Sequence, residues 1–216
     1  MGGGSAIILA GGRSSRMGLP KAVLPFGAAS ILERLIETLT GAFDEIIVVA
    51  APLGDEPFSI DRILGDRAGA DGVHRVDGLI VERDDDAFAG PVGALRRGLA
   101  RAGGDVVFAC SCDLPLLRAE LAVAICTMVA GDDAAMPEVG GMFQPLCAAY
   151  RRAPAIAALT TMEAADERRL TMVAERLKVR AIDEAALRAI DLDLRSLLNV
   201  NTAEDYAHAL RMMRAG

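Results

Sequence analysis

The chain has 216 residues, of which 52% are hydrophobic, 25% charged and 4% aromatic, with a formal net charge of −7. This length suits one domain with a sizeable core, and the apolar content excludes an intrinsically disordered chain. An acidic body does not attract a polyanion over its whole surface, which excludes a nucleic-acid partner, and no apolar run approaches a membrane span. Residues 1–5 are small and uncharged and carry no secretory signal. The cysteines are Cys110, Cys112, Cys126 and Cys147. C-x-C is not zinc-ligand spacing, and alternate strand residues put Cys110 and Cys112 on one face. All four read as buried or half-buried thiols of a reducing cytoplasm.

In chain order, residues 6–10 are an apolar run of strand character, broken by Gly11 and Gly12. Residues 22–27 read as a short apolar connection. Ser30 and Glu33 form a capping box for a helix over 31–40, with Ile31, Leu32, Leu35, Ile36 and Leu39 at helical spacing. The β-branched run 46–51 predicts a strand buried on both faces, so strand, helix and strand make a right-handed βαβ unit of a parallel sheet. Residues 52–78 have weak periodicity, with a short helix expected near 60–64 and His74 in a polar loop. Residues 79–82 form a third strand. A helix over 94–102 follows Gly90-Pro91, since proline suits a first helical turn. Residues 105–110 are a fourth strand, and 119–129 a helix stopped at Gly131. A short strand at 134–137, a turn at Gly140-Gly141 and a strand over 144–150 suggest a hairpin. Helices are expected from 154, over 171–177 and over 183–187, with an edge strand at 179–182. Residues 198–202 form a strand end or turn. Thr202 caps a last helix over 203–213, and Glu204 and Asp205 suit its dipole.

The chemistry gathers at Leu9-Ala-Gly-Gly-Arg-Ser-Ser-Arg-Met-Gly-Leu-Pro-Lys21. A strand feeding a glycine-rich turn exposes backbone N–H groups that form a nest for anionic oxygens. Glycine there lets a phosphate approach closely. Arg13, Arg16 and Lys21 add positive charge. The stretch matches neither G-x-G-x-x-G nor G-x-x-x-x-G-K-[ST], which argues against a Rossmann dehydrogenase and a P-loop NTPase. Asp113 sits where an apolar strand ends before Pro115, at the edge of the sheet where ligands bind in open α/β folds. A carboxylate there, facing a phosphate loop, is a natural Mg²⁺ ligand. Asn199 and Asn201, at i and i+2 of an extended segment, can both reach one ligand.

Leu9-Ala-Gly-Gly-x-Ser-x-Arg-Met-Gly-x-x-Lys21 resembles the signature of the sugar-nucleotidyltransferase-like superfamily, and within it most resembles the molybdenum cofactor guanylyltransferases. Cys112-Asp-Leu-Pro115 is similar to the family's second signature, whose aspartate holds Mg²⁺. Arg83-Asp84 ahead of Gly90-Pro-Val-Gly93 resembles a segment lining the nucleotide pocket; Asp85 and Asp86 read as a solvated acidic run. Gln144-Pro-Leu resembles an acceptor-side segment, and Asn199-x-Asn-Thr-x-Glu-Asp205 the closing signature. The resemblance implies an α/β, Rossmann-like fold with a mostly parallel sheet flanked by helices, of the nucleotide-diphospho-sugar transferase type. It implies a single nucleotidyltransferase domain over 1–216, with about 6–115 binding nucleotide and about 116–216 serving the acceptor. The expected nucleotide contacts are Leu9, Ala10, Gly11, Gly12, Lys21, Asp84 and Gly90. Arg16, Lys21 and Asp113 are the expected catalytic set, with Asp113 on Mg²⁺. Gln144, Asn199 and Asn201 would hold the acceptor.

The implied reaction is in-line transfer of GMP from GTP to molybdopterin with release of pyrophosphate, in the cytoplasm. Its substrates are GTP and molybdopterin, and its protein partners are molybdoenzymes or other cofactor-biosynthesis proteins. Two departures bear on the base. Ala50-Ala51-Pro52 stands where many family members have an asparagine on the nucleotide. Pro20-Lys21 also resembles the related cytidylyltransferases. CTP use, a sugar-phosphate acceptor and a non-catalytic cofactor-delivery module are the alternatives.

Overall fold

The computed structural model describes residues 4–11, 20–51, 74–76, 78–83 and 90–215. In chain order, β1 (Ser5–Leu9) comes first, then a 3-10 turn at Lys21–Val23 and the short strands β2 (Pro25–Phe26) and β3 (Ala29–Ser30). Next are α1 (Ile31–Thr40), β4 (Glu45–Ala50), β5 (His74–Val76), β6 (Leu79–Arg83), α2 (Gly90–Arg101) and β7 (Val106–Ser111). α3 (Ala119–Met128), β8 (Ala134–Val139), β9 (Met142–Phe143), β10 (Cys147–Arg151) and α4 (Arg152–Ala164) follow. The chain closes with a 3-10 turn at Leu170–Glu175, β11 (Val179–Ile182), α5 (Glu184–Arg188), a 3-10 turn at Arg195–Leu197 and α6 (Ala203–Arg214).

Among the described residues, nine strands form one sheet in the order β11-β8-β10-β7-β1-β4-β6-β5, with β9 paired to β8. β7, β1, β4 and β6 run parallel, as their near-continuous apolar sequences predict. β10 enters antiparallel between β7 and β8. Alternation along β1 divides the core. Ala6 and Ile8 pack with Leu32 and Leu35 of α1 and Leu121 of α3. Ile7 and Leu9 pack on the opposite face with Leu95 and Leu99 of α2 and Leu159 of α4. The two crossovers that flank β1 therefore lie on opposite faces of the sheet. That arrangement opens a crevice at the carboxyl edge between β1 and β7.

The capping box forms as expected: Glu33 N–H donates to Ser30 Oγ at 3.2 Å and Ser30 N–H to Glu33 Oε2 at 2.7 Å. These bonds hold the Glu33 carboxyl below its usual pKa. The edge strand 179–182 also forms as expected.

Several expectations are corrected. Residues 22–27 are not a plain connection, because β2 and β3 form a tiny hairpin about Gly27, whose φ is +79°. α2 starts at Gly90, four residues early, with Pro91 in its first turn. Residues 144–146 are not strand: Cys147 N–H closes a turn on Gln144 C=O at 3.1 Å around Pro145, and β10 begins only at Cys147. The segment expected as a helix over 171–177 is a 3-10 turn. His74 belongs to β5, antiparallel to β6, and not to a loop. The helix expected near 60–64 lies outside the described residues. No helix among the described residues is long and apolar enough to cross a membrane.

Candidate active site

β7 and β1 end together, with Leu9 opposite Ser111. Beyond that pair, Cys112 N–H donates to Leu9 C=O at 3.0 Å, and Ser111 N–H to Leu146 C=O at 3.2 Å. Val200 N–H donates to Asp113 C=O at 2.8 Å. The backbone around Asp113 is thus tied to β1, to the turn before β10 and to the segment before α6. Lys21 opens the 3-10 turn after Pro20 and reaches the same edge. Its Nζ donates to Asn201 Oδ1 at 2.7 Å and lies 3.4 Å from Asp113 Oδ2. The side chains of Lys21 and Asp113 are only 18% and 20% exposed, so solvent screens the pair weakly. Ser111 Oγ donates to Asp113 Oδ1.

Asn201 is itself held in place. Its N–H and that of Thr202 donate to Asp205 Oδ2 at 3.0 and 2.8 Å, and Asp205 N–H donates back to Thr202 Oγ1 at 3.1 Å. The Asn201 backbone bond, followed by the Thr202 bonds, lowers the Asp205 pKa. Burial pushes the Cys112 thiol up to about 12, helped by the Asp113 charge. The four cysteines are free thiols, two buried and two half-buried.

A cleft of about 430 Å³ opens beside this cluster. Asp113, Gln144 and Asn199 line it, as does Pro91, next to Gly90. The Gln144 turn is anchored because Tyr150 Oη, on a buried ring, donates to Pro145 C=O at 2.7 Å. Arg168, Arg169 and Thr171 form another part of the wall. Sequence reasoning passed over them, although the doublet Arg168-Arg169 is visible in the sequence. Glu167 grips Arg169 through both carboxylate oxygens, at 3.0 and 2.8 Å, and these bonds hold the Glu167 carboxyl near 2. Arg168 Nε donates to Asp166 at 3.0 Å.

Lys21, Asp113 and Asn201 therefore converge on one point, while Gln144 and Asn199 line the adjoining cleft. Leu9 and Ala10 contribute differently from the expectation of a nest with unclaimed N–H groups. Their side chains are buried, and Ala10 N–H is already bonded to Val49 C=O at 2.9 Å. Gly11 is exposed at the strand end; a Cβ there would lie 3.6 Å from Ala51 N. Gly90 has φ +71°, the left-handed region that glycine accepts without strain. Gly12, Arg13, Arg16 and Asp84 lie outside the described residues.

The family model of the MobA-like NTP transferase domain matches residues 6–180. This chain belongs to that family. A relative from Methanosarcina acetivorans, a "probable molybdenum cofactor guanylyltransferase", is 34% identical over 206 residues, covering 93% of this chain and 87% of that protein. The molybdenum cofactor guanylyltransferase of Desulfosudis oleivorans is 31% identical, covering 98% of this chain and 96% of its own. The crystal structure of molybdopterin-guanine dinucleotide biosynthesis protein A from Archaeoglobus fulgidus superposes with a TM-score of 0.80 at 20% identity, covering 98% of this chain and 100% of that one. The MobA-like fold thus extends beyond residue 180, through the Asn199–Asp205 segment that completes the cluster.

Proposed function

We propose that this MobA-like NTP transferase moves a guanylyl group from GTP to molybdopterin. A terminal phosphate oxygen of the pterin forms a bond to the α-phosphorus, the bond to the β-phosphate oxygen breaks, and pyrophosphate leaves. The observation that carries this reading is the convergence of Lys21, Asp113 and Asn201 at the carboxyl edge of β1 and β7. Phosphoryl and nucleotidyl chemistry needs positioning and charge neutralisation rather than a protein nucleophile, and this cluster offers both.

Asp113 and Asn201 present oxygens around one cationic centre, which the Lys21 ammonium occupies. Hard oxygen donors of this kind fit Mg²⁺. Mg²⁺ takes one or two carboxylates and completes its shell with phosphate oxygens and water. Asp113 would hold Mg²⁺, with Asn201 beside it. When bound, the ion neutralises charge on the phosphates. Lys21 then serves the phosphates and the departing pyrophosphate, joined by Arg16. Gly11, Gly12, Asp84 and Gly90 frame the nucleotide, and Leu9 and Ala10 support it from the strand. Gln144 and Asn199 contact the pterin side, where Arg168 and Arg169 supply positive charge to its phosphate.

On this reading the chain is a single nucleotidyltransferase domain. Its span of about 6–115 serves the nucleotide, and about 116–216 the acceptor. It works in a reducing cytoplasm, consistent with its free thiols, and hands its product to molybdoenzymes or their assembly proteins.

The test is pyrophosphate release from GTP, CTP, ATP or UTP with molybdopterin and Mg²⁺. Release with GTP alone is the expected result. Release with CTP alone moves the activity to the cytidylyl branch, and no release with any nucleotide removes the enzymatic reading.

A further inference from the structure

Three backbone hydrogen bonds fix the chain around Asp113, through Ser111 N–H, Cys112 N–H and Asp113 C=O. What remains free is the rotation of the Asp113 side chain. Two contacts divide its oxygens. Ser111 Oγ donates to Oδ1, while Oδ2 faces the ammonium of Lys21. Ser111 lies in the wall of the same cleft, two residues before Asp113. A serine hydroxyl has one proton to give, and here it goes to the carboxylate. The carboxylate is therefore asymmetric: one oxygen is tied down within the protein and the other is offered to a cation.

We propose that Ser111 is a positioning residue that restricts Asp113 to one metal-facing oxygen and thereby favours Mg²⁺ over Ca²⁺. The inference rests on the reading of Asp113 as the metal ligand. Mg²⁺ demands a compact octahedron and suits carboxylates that give a single oxygen. Ca²⁺ takes more ligands and readily accepts both oxygens of one carboxylate. Two-oxygen binding by Asp113 requires the carboxylate to turn both oxygens toward one ion, and the Ser111 bond resists that rotation. Without the hydroxyl, Asp113 turns freely and the penalty on Ca²⁺ disappears. A serine that only satisfied itself at a strand end would leave metal preference untouched when removed.

The experiment measures binding of Mn²⁺ to the full chain saturated with GTP, by the water-proton relaxation enhancement over Mn²⁺ and GTP without protein, then its displacement by Mg²⁺ or Ca²⁺. The proteins are wild type, Ser111→Ala, Ser111→Val, Ser111→Thr and Asp113→Ala. Asp113→Ala is expected to lose the site. Ser111→Ala and Ser111→Val are expected to keep Mn²⁺ but shift the ratio of competition constants toward Ca²⁺ by about 10-fold, the scale on which an outer hydrogen-bond partner acts. Ser111→Thr, which keeps the hydroxyl, should retain the wild-type ratio. The valine and threonine variants have nearly the same shape, so their difference isolates the hydroxyl. A wild-type ratio in Ser111→Ala and Ser111→Val, or equal shifts in valine and threonine, overturns the role of Ser111 while leaving Asp113 as ligand. If wild type and Asp113→Ala bind Mn²⁺ alike, or neither binds it, the metal reading falls and this inference with it.

Discussion

Lys21 and Asn201 stand 180 residues apart in the chain, yet the lysine ammonium donates to the asparagine Oδ1 at 2.7 Å. This bond joins the turn after β1 to the cap of the last helix, directly over Asp113. Asn201 is fixed by its own N–H bond to Asp205, so the lysine meets a preset acceptor. Among the described residues, Lys21 is the cation that these oxygens face. On the proposed reading, Asp113 and Asn201 would hold a metal that neutralises phosphate charge, and Lys21 would serve the phosphates.

Replacing Lys21 or Asp113 by alanine removes one charge from this cluster. Each change is expected to cut pyrophosphate release by about 100-fold or more, the scale for losing a preorganised charge partner. The fold should survive, because the backbone around Asp113 is held by its own hydrogen bonds to β1, to the turn before β10 and to the segment before α6. Circular dichroism and urea melts compared with turnover check both halves. A folded, fully active Asp113→Ala protein would falsify the metal role of that residue.

Arg169 tests the acceptor side. Its guanidinium pairs with both oxygens of Glu167 at the cleft wall. Arg169→Ala should raise the KM for molybdopterin while leaving the thermal shift produced by GTP unchanged. An altered GTP shift with normal acceptor KM would move Arg169 to the nucleotide side.

Gly98 of α2 lies against β1 and β4. A Cβ there would come within 2.9 Å of Ile7 Cγ2 and 3.1 Å of Val49 Cγ2. Those side chains are fully buried, so Gly98→Val must push helix and sheet apart. Overpacking of this kind costs about 1–3 kcal/mol. Urea denaturation should show the loss; a midpoint equal to wild type would mean that α2 is free to shift.

Asp205 supplies a pH test. Its folded-state pKa is lowered by the Asn201 and Thr202 bonds. The unfolded chain then binds the proton more readily, so the stabilisation is present above the ordinary aspartate value of about 3.9 and is lost as pH falls through the lower folded value. Asp205→Asn should flatten the acid limb of stability without affecting its slope near neutrality. Denaturant melts across the acid range provide the readout, and an acid limb identical to wild type counts against this account.

The thiols give a complementary measurement. Burial raises Cys112, Cys126 and Cys147 to about 12, and Cys110 is also raised. At mildly alkaline pH the folded protein should therefore alkylate slowly, and all four cysteines should react on unfolding. Rapid labelling of Cys147 in the native state would show that the cleft opens to solvent.

Local sequence was sufficient where local physics decides. Helical spacing of the apolar residues located α1, continuous apolar runs located β4 and β7, and the Ser30/Glu33 pattern fixed a helix start to the residue. Asp113, Lys21 and the two asparagines were singled out by their motifs, and the structure brings Lys21, Asp113 and Asn201 together with Asn199 in the adjoining cleft. What failed was also local in cause: Pro145 converts an apolar run into a turn, and the doublet Arg168-Arg169 has no periodic signature. Tertiary structure alone decided that Lys21 bonds Asn201 rather than solvent, that Ser111 claims one oxygen of Asp113, and that Ala10 N–H is consumed by β4. Each of these depends on strand order and register, which bring distant segments to one edge of the sheet. Hydrophobic patterning specifies which faces are buried; it does not specify which two polar atoms meet once those faces have packed.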